Sequence, residues 1–312
     1  MPAEQRIAVV GATGAVGPVA IALLQDRGYE NVRAFASSRS AGKRVGGIVV
    51  EEARPETFAN GDIDYCLFSI GTPVSRELVP HAVAGGAICI DKSSAFRLTD
   101  GVPLVVPEVN GDRALEHDGI VANPNCSTIP LACALRPLHD AVGLRRVRVA
   151  TYQSASGAGT DSMARLRAQS TEETDVSTDW EFDGEEFDEE AKLRDEMRKI
   201  LELPALPVSA TCFRVPVMIG HTESVWIETD EPLMPDQARS LLASAPGIRL
   251  EDVPTSGKAA GTDDVLVGRI RPDRSAEGGL TFVLSCDNLR KGAALNAIQI
   301  MELLHAHRPV AA

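Results

Sequence analysis

The chain has 312 residues, 44% of them hydrophobic and 24% charged, enough for two domains with an ample core. Its net charge is −13, but thirteen acids against two bases fall between Glu172 and Glu196, so the remainder is close to neutral. No basic stripe suits a phosphate backbone, which argues against nucleic acid, and no apolar run approaches the roughly 18 residues a membrane span needs.

The start, MPAEQRIAVV, enters an apolar run with no leader-like pattern. Cysteines 66, 89, 126, 133, 212 and 286 are scattered without CxxC pairs, which predicts reduced thiols in a cytoplasmic protein and no metal site. RIAVVGATGAVGPVAIALLQDRG reads as a strand, a glycine turn and a helix closed by Gly28. VRAFASS, YCLFSI, AICID and IVANP are further short strands, with helical stretches such as SRELVPHAVAGG among them. Strands alternating with helices predict a parallel sheet covered on both faces. From about residue 146 the segments RVRVATYQSAS, PVSATCFRVPV, ESVWIETDE, VLVGRIRP and LTFVLSCD are longer and often alternate, as in a mixed or antiparallel sheet. MPDQARSLLASAPG is a helix against that sheet, and DNLRKGAALNAIQIMELLHAHR a long closing helix with one apolar stripe.

The first glycine turn, GATGAVG, places Gly11, Thr13, Gly14, Ala15, Val16 and Gly17 at the mouth of a helix. Small residues there let the backbone approach a pyrophosphate, whose charge the helix N-terminus favours. The GxxGxxG spacing also fits a tight turn without a ligand. A site for NAD usually carries an Asp or Glu about 20 residues on. Here the run is AFASSRSAGKR, with no acid. Ser37, Arg39 and Ser40 offer hydroxyls and a guanidinium to a 2′-phosphate, so NADP is the expected cofactor.

In IVANPNCSTIPLACAL, Cys126 stands where a strand hands over to a helix in whose first turn Pro130 is tolerated. A thiol at a helix N-terminus feels the positive end of the dipole, which favours thiolate. Position alone leaves two readings open, a nucleophile or a buried filler thiol of the kind Cys133 represents. The acidic run reads in its first half as a solvated linker. Its second half, DEEAKLRDEMRKIL, puts Leu193, Met197, Ile200 and Leu201 on one helical stripe, with Glu189 at its edge and Lys192 beside it. An inward carboxylate wants a partner. His305 and His307, near the tail, read as solvated.

GATGAVG, SSRSAGK, DKSSAFR, VPLVVPEVN, NPNCST, TYQSASGAG, CFRVPVMIGHTES, VGRIR and DNLRKGAALNAIQI occur together, in order, over nearly the whole chain. In these motifs the sequence resembles the bacterial aspartate-semialdehyde dehydrogenases. The resemblance implies an α/β protein with a Rossmann-type, mostly parallel NADP-binding domain (1–126 and 289–312). It adds an α+β catalytic and dimerisation domain with a mixed sheet (127–288). It implies a homodimer that interconverts L-aspartate 4-semialdehyde plus inorganic phosphate with L-4-aspartyl phosphate, on the route to lysine, methionine and threonine. Cys126 would carry an acyl thioester, since a thiolate is both a good nucleophile and a good leaving group. His221 would be the general base, Gln153 would hold substrate near the thiol, and Asn125 would steady the oxyanion. Arg214 would bind the α-carboxylate and Glu189 the ammonium, while Arg97 and Lys192 would take the phosphate. Ser156 and Gly157 would let the nicotinamide approach, and Asn288 would touch the cofactor.

The chain departs from the family between SGAG and EEAK, where TDSMARLRAQSTEETDVSTDWEFDGEEF is shorter than the usual segment. That puts the dimer geometry in question. Two alternatives differ from the first expectation: a relative acting on N-acetylglutamyl phosphate, which would need no ammonium acceptor, and a non-catalytic nucleotide-binding paralogue, which would be expected to have lost Cys126 or His221.

Overall fold

The computed structural model describes residues 4–171 and 173–307; Glu172, first of the acidic run, and residues 308–312 of the expected 289–312 segment lie outside them. The chain divides into two compact units, Met1–Pro124 with Ala293–Ala312, and Asn125–Gly292. All six cysteines are free thiols, and only Cys126 is not buried. Among the described residues no helix is long and apolar enough to cross a membrane.

The first unit contains β1 (Ile7–Val10), α1 (Gly17–Asp26), β2 (Val32–Ala36), β3 (Arg44–Val45), β4 (Ile48–Glu52) and α2 (Pro55–Phe58). β5 (Tyr65–Phe68), α3 (Thr72–Ala84), β6 (Ile88–Asp91), α4 (Pro107–Asn110) and β7 (Ile120–Ala122) follow. The strand order is β3-β4-β2-β1-β5-β6-β7, parallel throughout except for the β3–β4 hairpin. Every residue of β1 and β5 is buried, as expected of central parallel strands covered on both faces. Phe35, Phe58 and Phe68 form one core with Val10, Leu78 and Val79. The turn after β1 depends on glycine. Gly11 has φ +90°, and a Cβ there would lie 2.3 Å from the Ser69 carbonyl oxygen.

The second unit contains α5 (Thr128–Val142), β8 (Leu144–Gln153), α6 (Thr160–Arg167), α7 (Asp188–Leu201), β9 (Val208–Arg214) and β10 (His221–Thr229). It ends with α8 (Pro235–Ser244), β11 (Ile248–Leu250), α9 (Ser256–Ala259), β12 (Val265–Pro272) and β13 (Leu280–Cys286). The chain then returns to the first unit as α10 (Leu295–Ala306), which packs on β5, β6 and α1. The second sheet runs β11-β12-β13-β10-β8-β9 and is mixed: β8–β9 and β11–β12 are parallel, the other pairs antiparallel. Helices α5, α7 and α8 pack against this sheet. Two expectations for isolated side chains need correction. His305 is half-buried and accepts from Gln5 Nε2, because α10 packs on the first unit instead of trailing into solvent. The acidic run is anchored: Glu173 is buried and accepts from Ser162 Oγ at 2.7 Å and from Arg165 at 2.6 and 2.9 Å.

β10 alternates buried with half-buried residues, which puts His221, Glu223, Val225 and Ile227 on its covered face. Glu223 lies between Thr151 and Leu284 in register, and neither carboxyl oxygen has a hydrogen-bond partner among the described residues. Burial pushes its carboxyl well above the usual range, so the folded protein keeps it protonated. The unfolded chain releases that proton above about pH 4.5, so this group makes the fold less stable as pH rises beyond that point. Glu223→Met is therefore expected to gain about 1 kcal/mol or more over the natural protein near pH 8, an advantage that shrinks towards pH 4.5. Thermal unfolding of both proteins across that range checks this.

Candidate active site

Cys126 sits two residues before α5, at the end that attracts negative charge, and Sγ lies 3.2 Å from His221 Nε2. The turn carrying it is braced on both sides. Asn125 N donates to Glu196 Oε2 at 2.7 Å, and Ser127 N donates to Asn125 Oδ1 at 2.8 Å. Gly292 packs against Cys126, since a Cβ there would lie 3.2 Å from Cys126 Cβ.

His221 opens β10 and is fully buried. Its Nδ1 accepts from Ser154 N at 3.0 Å, with Ser154 Oγ 3.2 Å away. A main-chain N–H can only donate, so Nδ1 is the bare nitrogen and the ring proton sits on Nε2, facing sulfur. Burial and the neighbouring Arg214 guanidinium lower the ring's pKa to about 3, so the imidazole stays neutral in the working range. Asn288 fixes the loop from behind. Its Oδ1 accepts from Gly220 N at 2.8 Å and Ser154 Oγ at 3.1 Å, and its Nδ2 donates to Ser156 Oγ at 2.9 Å. Asn288 and Ser156, expected to touch a cofactor, are thus buried members of the network that sets His221. Gly157 allows the loop to close over the ring: a Cβ there would meet Arg214 Nη1 at 2.9 Å and His221 Cε1 at 3.1 Å.

The charged residues gather around the same turn. Glu189 is buried at the start of α7, on the face that also buries Leu193 and Met197. Its Oε1 accepts from Asn125 Nδ2 at 2.9 Å and Gln153 Nε2 at 3.2 Å, and Lys192 Nζ lies 3.8 Å from Oε2. Both ends of the Asn125 amide are therefore engaged. The link to Glu189 takes one of the two Nδ2 hydrogens and fixes how the side chain sits beside Cys126. Lys192 also pairs with Asp188. Arg214, only 5% exposed, donates through Nη1 to Ser154 O at 3.0 Å and turns Nε and Nη2 to Asp179 at 3.3 and 3.2 Å. Sequence reading missed Glu196, Ser154 and Asp179. Glu196 accepts from a backbone N–H and Ser154 acts through its own backbone, neither of which a side-chain motif marks, and Asp179 was hidden in a run of acids.

In the first unit, Arg97 is buried and donates to the Asn123 and Lys92 carbonyls. The GATGAVG turn and the serine turn after β2 meet, with Thr13 Oγ1 donating to Ser40 Oγ at 3.2 Å. Ser37 and Arg39 are exposed there, and Lys43 Nζ reaches Ser40 Oγ at 3.5 Å, a second cation that the motif reading passed over. Val16 and Gly17 are buried, so any contact of theirs with a ligand would be through the backbone. A Cβ at Gly14 would touch nothing but its own turn, the Gly11 oxygen at 3.3 Å. These residues gather at the mouth of α1, the end of a helix that favours a phosphate.

Comparison with known proteins agrees with this arrangement. Residues 6–117 match the family model for the NAD-binding domain of semialdehyde dehydrogenases. Residues 135–185 and 177–291 match the model for their dimerisation domain. The aspartate-semialdehyde dehydrogenase of Corynebacterium glutamicum is 44% identical over 339 aligned positions, covering 96% of this chain and 98% of that protein. Aspartate semialdehyde dehydrogenase II from Vibrio cholerae, complexed with ASA, superposes with a TM-score of 0.92 at 39% identity, covering 98% of this chain and 99% of that one. Aspartate semialdehyde dehydrogenase from Candida albicans, solved with NADP, has a TM-score of 0.78 at 26% identity, covering 97% and 99%. The 339-position alignment exceeds the 312 residues here, and the dimerisation match comes in two pieces that overlap at residues 177–185, within the acidic segment. With both domains matched in order, the chain belongs to the aspartate-semialdehyde dehydrogenase family.

Proposed function

We propose that this chain interconverts L-aspartate 4-semialdehyde plus phosphate with L-4-aspartyl phosphate through a thioester on Cys126, using NADP. The observation that carries this reading is the 3.2 Å approach of Cys126 Sγ to the protonated nitrogen of a neutral, buried His221. In the reducing direction the sulfur anion attacks the acyl carbon, the C–S bond forms, and phosphate leaves with the electron pair of the broken C–O bond. When bound, the nicotinamide supplies the hydride that reduces the thioester carbon. The resulting hemithioacetal oxyanion is held by His221 Nε2–H until it collapses, restoring the carbonyl and returning the C–S pair to sulfur. Sulfur attacks and leaves as an anion, and His221, the expected general base, also serves as the donor to the oxyanion.

Recognition follows the charges. Arg214 presents a planar fork to the substrate carboxylate, Glu189 faces the ammonium, and Gln153, bonded to Glu189, holds the substrate near the thiol. Lys192, and Arg97 in the first unit, are assigned to phosphate on the family resemblance. Asn288 and Ser156 act through His221 and are positioning residues. For the cofactor, the acid-free turn with exposed Arg39 and with Lys43 beside Ser40 favours a 2′-phosphate and would repel nothing on it. A homodimer is supported by the dimerisation-domain match. It is supported too by a sheet face on which Arg146 and Tyr152 stay exposed and Tyr152 stacks on Phe213 at 6.4 Å.

Cys126→Ala is expected to abolish phosphate-dependent oxidation of the semialdehyde, and the natural protein to accumulate a Cys126-linked acyl group when phosphate is withheld. Full activity in the variant would remove the mechanism. Arg39→Glu is expected to shift the ratio of kcat/KM for NADP over NAD by about tenfold or more towards NAD, read from steady-state rates with each cofactor.

A further inference from the structure

The shortened acidic segment is fastened to Arg214 at three points. Ser177 and Arg214 exchange both main-chain hydrogen bonds, Ser177 N to Arg214 O at 2.9 Å and Arg214 N to Ser177 O at 2.8 Å. Two residues on, the Asp179 carboxylate takes the guanidinium with both oxygens, at 3.2 and 3.3 Å. The Trp180 ring then covers the guanidinium carbon at 4.6 Å. Beyond it the segment closes on the start of α7, where Phe182 and Phe187 pack at 5.1 Å and Asp188 N donates to Glu181 O at 2.9 Å. The two partners differ in freedom. The Arg214 side chain is 6% exposed and tied to the Ser154 carbonyl, whereas the Asp179 side chain keeps 38% of its surface in solvent. Arg214 is fixed, and Asp179 is the member that can leave.

We propose that residues 177–182 form an internal pseudosubstrate strap, in which the Asp179 carboxylate holds the fork of Arg214 in place of the substrate's own carboxylate. The proposal rests on the reading of Arg214 as the substrate arginine. An aspartate side chain offers the guanidinium the same group, a carboxylate, as the amino-acid end of the substrate. A tethered carboxylate competes at an effective concentration in roughly the millimolar range. Productive binding is thus open only to the fraction of molecules whose strap is released, and the apparent affinity falls by that fraction. Trp180 adds a second contact that has to break, and the Ser177 ladder sets the register that aims Asp179 at the fork.

The test is steady-state kinetics of the full chain with L-aspartate 4-semialdehyde, phosphate and NADP, alongside thermal unfolding to verify folding. Asp179→Asn removes the competing charge, and Ser177→Pro removes the ladder donor without touching the carboxylate. Both are expected to lower KM for the semialdehyde by about 3- to 10-fold with kcat retained, while Arg214→Lys raises it. If KM in both strap variants is unchanged or higher while Arg214→Lys still raises it, the strap proposal is overturned and the substrate role of Arg214 stands. A higher KM in Asp179→Asn alone would make Asp179 a substrate ligand and overturn it equally. If Arg214→Lys leaves KM unchanged, the assignment of Arg214 fails and takes the strap with it.

Discussion

One hydrogen bond sets the chemistry of this site: the main-chain N–H of Ser154 donating to His221 Nδ1. A peptide N–H cannot accept, so protonating Nδ1 would oppose that donor inside a fully buried pocket. The ring is thereby kept neutral and in one tautomer, with its remaining proton aimed at Cys126 Sγ. Much of the surrounding structure serves that bond. Asn288 secures Gly220, one residue before the histidine, and the hydroxyl of Ser154. Arg214 holds the Ser154 carbonyl and adds positive charge against a protonated ring.

A second set of contacts fixes the sulfur. Glu196 and Glu189, two turns apart on α7, hold the backbone and side chain of Asn125, so the helix that carries the proposed ammonium acceptor also sets where the Cys126 turn lies. Two carboxylates near an anionic sulfur would be costly without compensation. The α5 N-terminus and Lys192 supply it within the second unit. The same economy of charge explains why a spare acid such as Asp179 finds Arg214: a buried guanidinium is best kept paired.

The fold class was legible because its signals are local. Strand-length apolar runs with glycine turns mark the parallel sheet, and alternating runs such as ESVWIETDE mark the mixed one. The inward aspect of Glu189 was legible for the same reason, since periodicity puts it with Leu193 and Met197. The link from Asn125 to Glu189 was not, because sequence adjacency to Cys126 says nothing about which atoms its amide meets. His221 shows the limit most clearly. Its residue type suggests a base, while its tautomer is set by a backbone donor 67 residues away whose side chain carries no signal for it. The linker reading of the acidic run failed at Glu173, which is buried against Ser162 and Arg165, and at Asp179, which pairs with the buried Arg214, because such partners are tertiary facts.

The most direct measurement of the central claim is the 15N NMR spectrum of the His221 ring in uniformly 15N-histidine-labelled protein, assigned with a His221→Gln control and followed from pH 5 to 8. The account predicts a bare Nδ1 and a protonated Nε2 throughout, with no titration. A ring that becomes doubly protonated with a midpoint near 6.5 would contradict it.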